Sequence, residues 1–172
     1  ATRGAPARLA AAGIAVGMAL GTVGGFVNAG WLENVIPLEN PVMGGIISFG
    51  LGHLAYMAAC LVAARRLQLQ PAKVVAAILV WQIVGVVGWY PIVYQGSVES
   101  ARALVWPALG YTALLAGTAG LTSALALHAR SLVWLALGAA LFLFSDLVLA
   151  VRLFRDASPL GRPGGWVLCG AG

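Results

Sequence analysis

The sequence predicts an all-α protein, a polytopic bundle of transmembrane helices. Composition is the first reason. Hydrophobic residues make up 61% of the 172, with 23 glycines besides, whereas a soluble domain is about 45–50% apolar with glycine already counted. Charge is the second: only 9% of residues are charged, against about 25% in solution, and the mean hydropathy is +0.94. The third is continuity, because the apolar residues run on in stretches that reach the ~20 residues a helix needs to cross hydrocarbon. These features exclude an ordinary soluble domain, a disordered tail and a disulfide-framed secreted module. They also disfavour a membrane β-barrel, which would show segments of alternating polarity about ten residues long.

Five windows qualify as spans, 9–31, 42–63, 73–95, 102–127 and 132–154, and together they predict a single integral membrane domain over residues 1–172. The first carries Gly13, Gly17, Gly21 and Gly25 in GxxxG register, a face that lets another helix approach closely. Packing within the bundle is the simpler reading of that face; a homo-oligomer seam is the other. Between the first two spans, Pro37-Leu38-Glu39-Asn40-Pro41 reads as a turn, since each proline fixes its own φ and disfavours helix just before it. Pro71 and Pro107 fall near helix starts, where a missing N–H is tolerated. Pro91 falls inside the third span and predicts a kink near Trp89 and Tyr90. After the fifth span, the run Gly165–Gly172 reads as the first turns of a sixth. The chain opens on Ala1 rather than Met, so further segments are expected beyond both ends.

If the spans alternate, Arg3, Arg8, Arg65, Arg66, Lys73 and Arg130 collect on one side without an acid. The other side holds Glu33, Glu39, Glu99 and Asp156 with Arg102, Arg152, Arg155 and Arg162. The excess of basic residues predicts a cytoplasmic N-terminus and a multi-pass protein of the cell membrane. A pI near 9.9 would suggest nucleic acid in a soluble protein. Here the basic residues sit at span ends and read as topology signals, so the expected partner is the bilayer and not nucleic acid. Trp31, Trp89, Tyr90, Tyr94, Trp106 and Tyr111 fall toward the acidic-side ends and read as an interfacial aromatic belt.

Ionisable groups at membrane depth are costly and mark interiors or wet cavities. Three lie well within the spans, His53, Asp146 and Arg152, with Lys73, Arg102 and Glu33 near boundaries. Arg152 is near a helix end and can snorkel. Asp146 is short and flanked by Leu141–Phe144 and Leu147–Leu149, so it cannot. A carboxyl held at that depth is a candidate proton donor. Phe142, Ser145 and Leu149 share its face at helical spacing, which makes Ser145 a candidate extension of the polar patch. His53 shares a face with Phe49 and Tyr56, although a lone histidine in a bundle is more often a hydrogen-bonded structural residue. No HExxH, Gly-rich phosphate loop or GxSxG elbow is present, and Cys60 and Cys169 show neither disulfide nor metal-ligand spacing. No metal or cofactor is expected. Under alternation, Asn28, His53, Tyr111 and Asp146 bring polar groups from four helices toward one membrane half. Convergence is the low-energy option, with Asp146 facing inward within reach of His53 or of spans one and four.

Three stretches then match a known pattern. They are Phe49-x3-His53-x2-Tyr56 after Gly50-Leu51-Gly52, Pro107-x3-Tyr111, and Gly138-Ala139-Ala140-Leu141-Phe142-Leu143-Phe144-Ser145-Asp146-Leu147-Val148-Leu149-Ala150 with Phe154 beyond. The chain resembles the YhhN/lysoplasmalogenase family of integral membrane proteins over about residues 9–155. The resemblance implies a helical bundle, usually of eight spans, and hydrolysis of the vinyl-ether bond of a lysophospholipid-like substrate, a lysoplasmalogen, to a fatty aldehyde and a glycerophospho-base. It implies Asp146 and His53 as catalytic residues, with Tyr56, Tyr111, Ser145, Asn28 and Arg152 binding substrate and Arg155 near the lipid phosphate. Two departures stand out. Asn28 occupies the place of a family aspartate, with Glu33 as an offset candidate, and the chain stops before the family's last helices. Other function classes compatible with the residues are a small-molecule or lipid transporter with a His/Asp proton relay and a non-catalytic assembly protein using the glycine face. The sequence lacks the paired broken helices that mark an inverted-repeat transporter.

Overall fold

The computed structural model describes residues 5–31 and 40–155. Among the described residues, five helices are long and apolar enough to cross a membrane: α1 (Ala5–Asn28), α2 (Pro41–Arg66), α3 (Pro71–Trp89), α4 (Val105–His128) and α5 (Val133–Arg155). No strand occurs among the described residues. The chain is an all-α integral membrane bundle, and its helices fall where the uninterrupted apolar runs put them. The candidate sixth span, Glu33, Glu39 and most of the proline turn lie outside the described residues.

Local chemistry sets the helix ends. Asn40 caps α2 by accepting the Met43 N–H at 3.1 Å, and Pro41 takes the first helical position, as both residue types favour. Arg65 and Arg66 close α2, and Gln68 adopts the left-handed conformation (φ 51°) that turns the chain toward Pro71. Pro91 does not break the third span. The helix widens into a π-turn over Tyr90–Tyr94, where the Gln95 N–H reaches the Tyr90 carbonyl at 3.0 Å. The wider turn accommodates the donor that proline lacks.

α4 is the hub. Its middle, from Leu115 to Leu125, is almost entirely buried, and α2, α3 and α5 all pack on it, while α1 packs on α2. Small residues allow the close approach: a Cβ on Gly120 would lie 2.6 Å from the Ile78 Cα of α3. Polar side chains add ties. The Trp81 indole donates to Ser123 Oγ and the Gln82 amide to the Ala113 carbonyl, each at 2.9 Å, and Ser48 donates to the Leu20 carbonyl at 2.7 Å. Such interhelical bonds average about 0.6 kcal/mol in lipid and reach about 1.7.

The glycine register of α1 divides into two parts. Gly13 and Gly17 are an internal seam: a Cβ on Gly17 would lie 2.6 Å from the Tyr56 ring, and one on Gly13 would lie 3.1 Å from Ala59 Cβ. Gly21 and Gly25 meet nothing within 4 Å, so the expected continuous seam ends half-way along the helix. The outer faces are apolar, with Val80, Ile83 and Val87 on α3 and Leu141 and Val148 on α5 all exposed. An exterior of this kind suits lipid rather than water. Trp31 and Trp106 are exposed near span ends, as a belt requires, but Trp89 is not part of it. It is buried among Val93, Leu104 and Phe154.

Candidate functional site

Two cavities stand out among the described residues, one toward each membrane half. The smaller, of about 270 Å³, lies near the Asn28 end of α1 and the Pro41 end of α2. Gly25, Asn28, Phe49, Tyr111 and Asp146 are in its wall. The larger, of about 710 Å³, lies toward the other half and is walled by Gly17, Gly21, His53, Tyr56, Thr118 and Gly138 among others. Phe49 lines both. Its ring fits against α1 because residue 24 is glycine, where a Cβ would come within 3.0 Å of it.

Asp146 of α5 faces the interior and accepts a hydrogen bond from the Tyr111 hydroxyl of α4. Among the described residues it has no cationic partner. A carboxyl group held by one hydroxyl, without a counter-charge and in the wall of a cavity, keeps its second oxygen for whatever enters. Asn28 shares that cavity from α1. Its amide lies where a side chain on Gly45 would otherwise be.

His53 of α2 is buried and its Nδ1 pairs with Thr118 Oγ1 of α4 at 3.0 Å. The Thr118 hydroxyl also donates to the Leu114 carbonyl at 2.9 Å. A hydroxyl carries one hydrogen, so with that hydrogen on Leu114 it can only accept from the histidine. Nδ1 then carries the proton, and Nε2 is a lone-pair acceptor without a partner among the described residues. An aromatic partition stands between the two polar pairs. The His53 ring centroid is 6.2 Å from Tyr111 and 5.3 Å from Phe142, and Phe49 is 6.2 Å from Phe142.

Residues 2–169 match the model of the YhhN family. The chain belongs to the YhhN family. No curated protein and no solved structure matches it. In this YhhN chain the stretches that carried the resemblance come together in space, because Phe49, His53, Tyr56, Tyr111, Phe142 and Asp146 all line one cavity or the other. Asp146 reaches the polar group of span four and shares a cavity with that of span one, whereas His53 pairs with Thr118 and not with Asp146. Ser145 departs from the expectation. It is exposed and lines neither cavity, because one residue along a helix turns the side chain about 100° away from its neighbour's direction. Arg152 is likewise exposed at the end of α5 and lines neither cavity. Arg155 gives its guanidinium to the Pro91 carbonyl at 2.7 Å, so it ties α5 to the π-turn.

Thr118 is the residue that sequence reasoning missed. Its signal was present: Tyr111, Thr118 and Thr122 follow one another at seven- and four-residue spacing, one face of an apolar helix. Phe142 was visible as part of a motif but not as a ring packed on His53 in the wall of the larger chamber. Among the described residues no three His, Cys, Asp or Glu side chains come together as a metal site.

Proposed function

We propose that this YhhN protein is a cell-membrane hydrolase of the lysoplasmalogenase type. Its substrate is a lysoplasmalogen, cleaved at the vinyl-ether bond to a fatty aldehyde and a glycerophospho-base, and the chain works as one membrane domain. The observation that carries this reading is the Tyr111–Asp146 pair in a cavity wall, beside a chamber that holds His53.

A vinyl ether is opened by proton transfer to its β-carbon. Asp146, as the acid, gives its proton there, and the double-bond electrons form the new C–H bond. The α-carbon and ether oxygen become an oxocarbenium ion beside the carboxylate just formed, an anion placed where positive charge develops. Water then adds to the α-carbon and gives a proton to Asp146 or to His53 Nε2, which closes the proton balance. The hemiacetal then breaks its C–O bond to the glycerol oxygen: that oxygen takes a proton from Asp146, the hemiacetal hydroxyl returns its own proton to the carboxylate, and the aldehyde leaves. Tyr111 holds the Asp146 carboxyl in place throughout. Asn28 lines the smaller chamber as a hydrogen-bonding group for the polar part of the lipid, and Tyr56 lines the larger one beside His53.

The test is aldehyde release from a lysoplasmalogen by the purified protein in detergent. Wild type should release aldehyde, and Asp146→Asn should not, while its thermal unfolding stays close to wild type. An amide keeps the shape and the Tyr111 bond but has no carboxyl proton to give. Full activity in a folded Asp146→Asn protein would remove Asp146 from the mechanism.

A further inference from the structure

We propose that the larger chamber seats the single long apolar chain of the lipid, and that Gly21 and Gly138 set how long a chain it takes. The inference rests on the reading of the substrate as a single-chain lipid and adds the place of its tail. Along α2 the chamber runs from Phe49 to Ala63, roughly 21 Å at 1.5 Å per residue. One leaflet's share of the hydrocarbon core is about 15 Å, so the chamber is long enough for a whole chain.

The lining is polarised along that length. His53, with its unpartnered Nε2, stands at the Phe49 end beside the Tyr111–Asp146 pair. The hydroxyls of Thr118 and Thr122 are turned back onto carbonyls of their own helix. The far end is lined by aliphatic groups such as Leu125, Leu132 and Leu135. A single-chain amphiphile matches this order, with its reacting group at the partition and its tail beyond it. Access is lateral. Among the described residues α1 packs on α2 and α5 on α4, but α1 and α5 have no substantial contact with each other, which leaves a slot between them as the way in.

Gly21 on α1 and Gly138 on α5 both line this chamber, and a Cβ at either meets nothing within 4 Å. The missing side chains leave the space open without serving any contact in the fold. A side chain that starts at either position enters the chamber, and its Cβ meets no protein atom within 4 Å.

Trp134 lines the chamber and is 81% exposed, so it reports on occupancy without any turnover. The probes are a lysophosphatidylcholine with a bromine-labelled stearoyl chain and its octanoyl counterpart, added to the purified full chain in detergent. Quenching is read as the difference between wild type and Trp134→Phe. The stearoyl probe should quench Trp134. Gly138→Phe and Gly21→Leu should each weaken stearoyl binding by about tenfold or more, the loss expected when two or so methylenes are kept out of an apolar seat. Octanoyl binding and the unfolding temperature should not move. Absence of quenching, unchanged stearoyl affinity in both folded variants, or cross-linking that places a second copy over Trp134 overturns the proposal. Quenching without aldehyde release keeps the chamber and removes the hydrolase reading. Aldehyde release with no change in chain-length preference in either variant does the reverse.

Discussion

Replacing Tyr111 by phenylalanine removes one hydroxyl and leaves a ring that packs 6.5 Å from Phe49 and 6.2 Å from His53. What goes is the hydrogen bond to Asp146. Between helices in lipid such a bond averages about 0.6 kcal/mol and reaches about 1.7. Stability should therefore fall by about 1 kcal/mol, a loss of roughly 2–4 °C in unfolding temperature for a chain of this size. The catalytic effect should be larger. When the carboxylate forms, a hydrogen bond to it is worth about 1.5–3 kcal/mol, and each 1.36 kcal/mol is about tenfold in rate. The expected drop in kcat is thus about ten- to a hundredfold. KM should change little, since the hydroxyl acts on Asp146 and not on the lipid. Aldehyde release and thermal unfolding, read in the same detergent, separate the two effects. A double-mutant cycle with Asp146→Ala then measures the bond directly. Coupling in stability at or below about 0.3–0.5 kcal/mol, the scatter of independent sites, would mean that the two side chains do not interact, and the site as described would fall.

Two further outcomes follow from the packing and the charge distribution. Gly17→Leu should lower the stability of the bundle by about 1–3 kcal/mol, because it forces a side chain into the Tyr56 ring, whereas Gly21→Leu should leave thermal unfolding unchanged; equal losses in both variants would mean that the seam runs the whole length of α1. Single cysteines at Ser97 and Arg66, in a background without Cys60 and Cys169, should be labelled from opposite sides of the membrane, and labelling from the same side would undo the alternation of the spans.

The fold was legible because the solvent is lipid. Uninterrupted apolar runs leave a helix as the structure that satisfies the backbone without water, so all five spans could be placed from the sequence. Asp146 was legible for the same reason: a short acid at that depth has to face inward, and it does. The glycine stripe was harder to read. Gly13 and Gly21 look alike in sequence, but the first lies on Ala59 and the second on open space, because four-residue steps drift about 40° each around the helix and the line of contact with α2 passes from Gly17 to Leu20, Gly24 and Asn28 instead. Ser145 misled because three- and four-residue spacing relates it to Phe142 and Leu149, and not to its own neighbour Asp146. Thr118 was missed because a threonine in a transmembrane helix ordinarily bonds its own backbone. It does so here while also accepting from His53.

The two candidate catalytic groups are carried by different helices, and α4 is what relates them. Asp146 is on α5 and His53 on α2, and those helices meet through the rings of Phe49, His53 and Phe142. Each sends its polar group to α4, one to Tyr111 and the other to Thr118. Those two residues are seven apart, about two turns or 10.5 Å along one face of one rigid rod. α4 is itself held by the Trp81 and Gln82 ties to α3 and by the close contact at Gly120. On the proposed reading, a lipid that enters between α1 and α5 lies against α4 at Thr118, Thr122 and Leu125 as well as against those outer walls. Asp146 is itself on one of those walls, α5, so its bond to Tyr111 of the hub is what keeps the acid in register with the imidazole that α2 sends to Thr118.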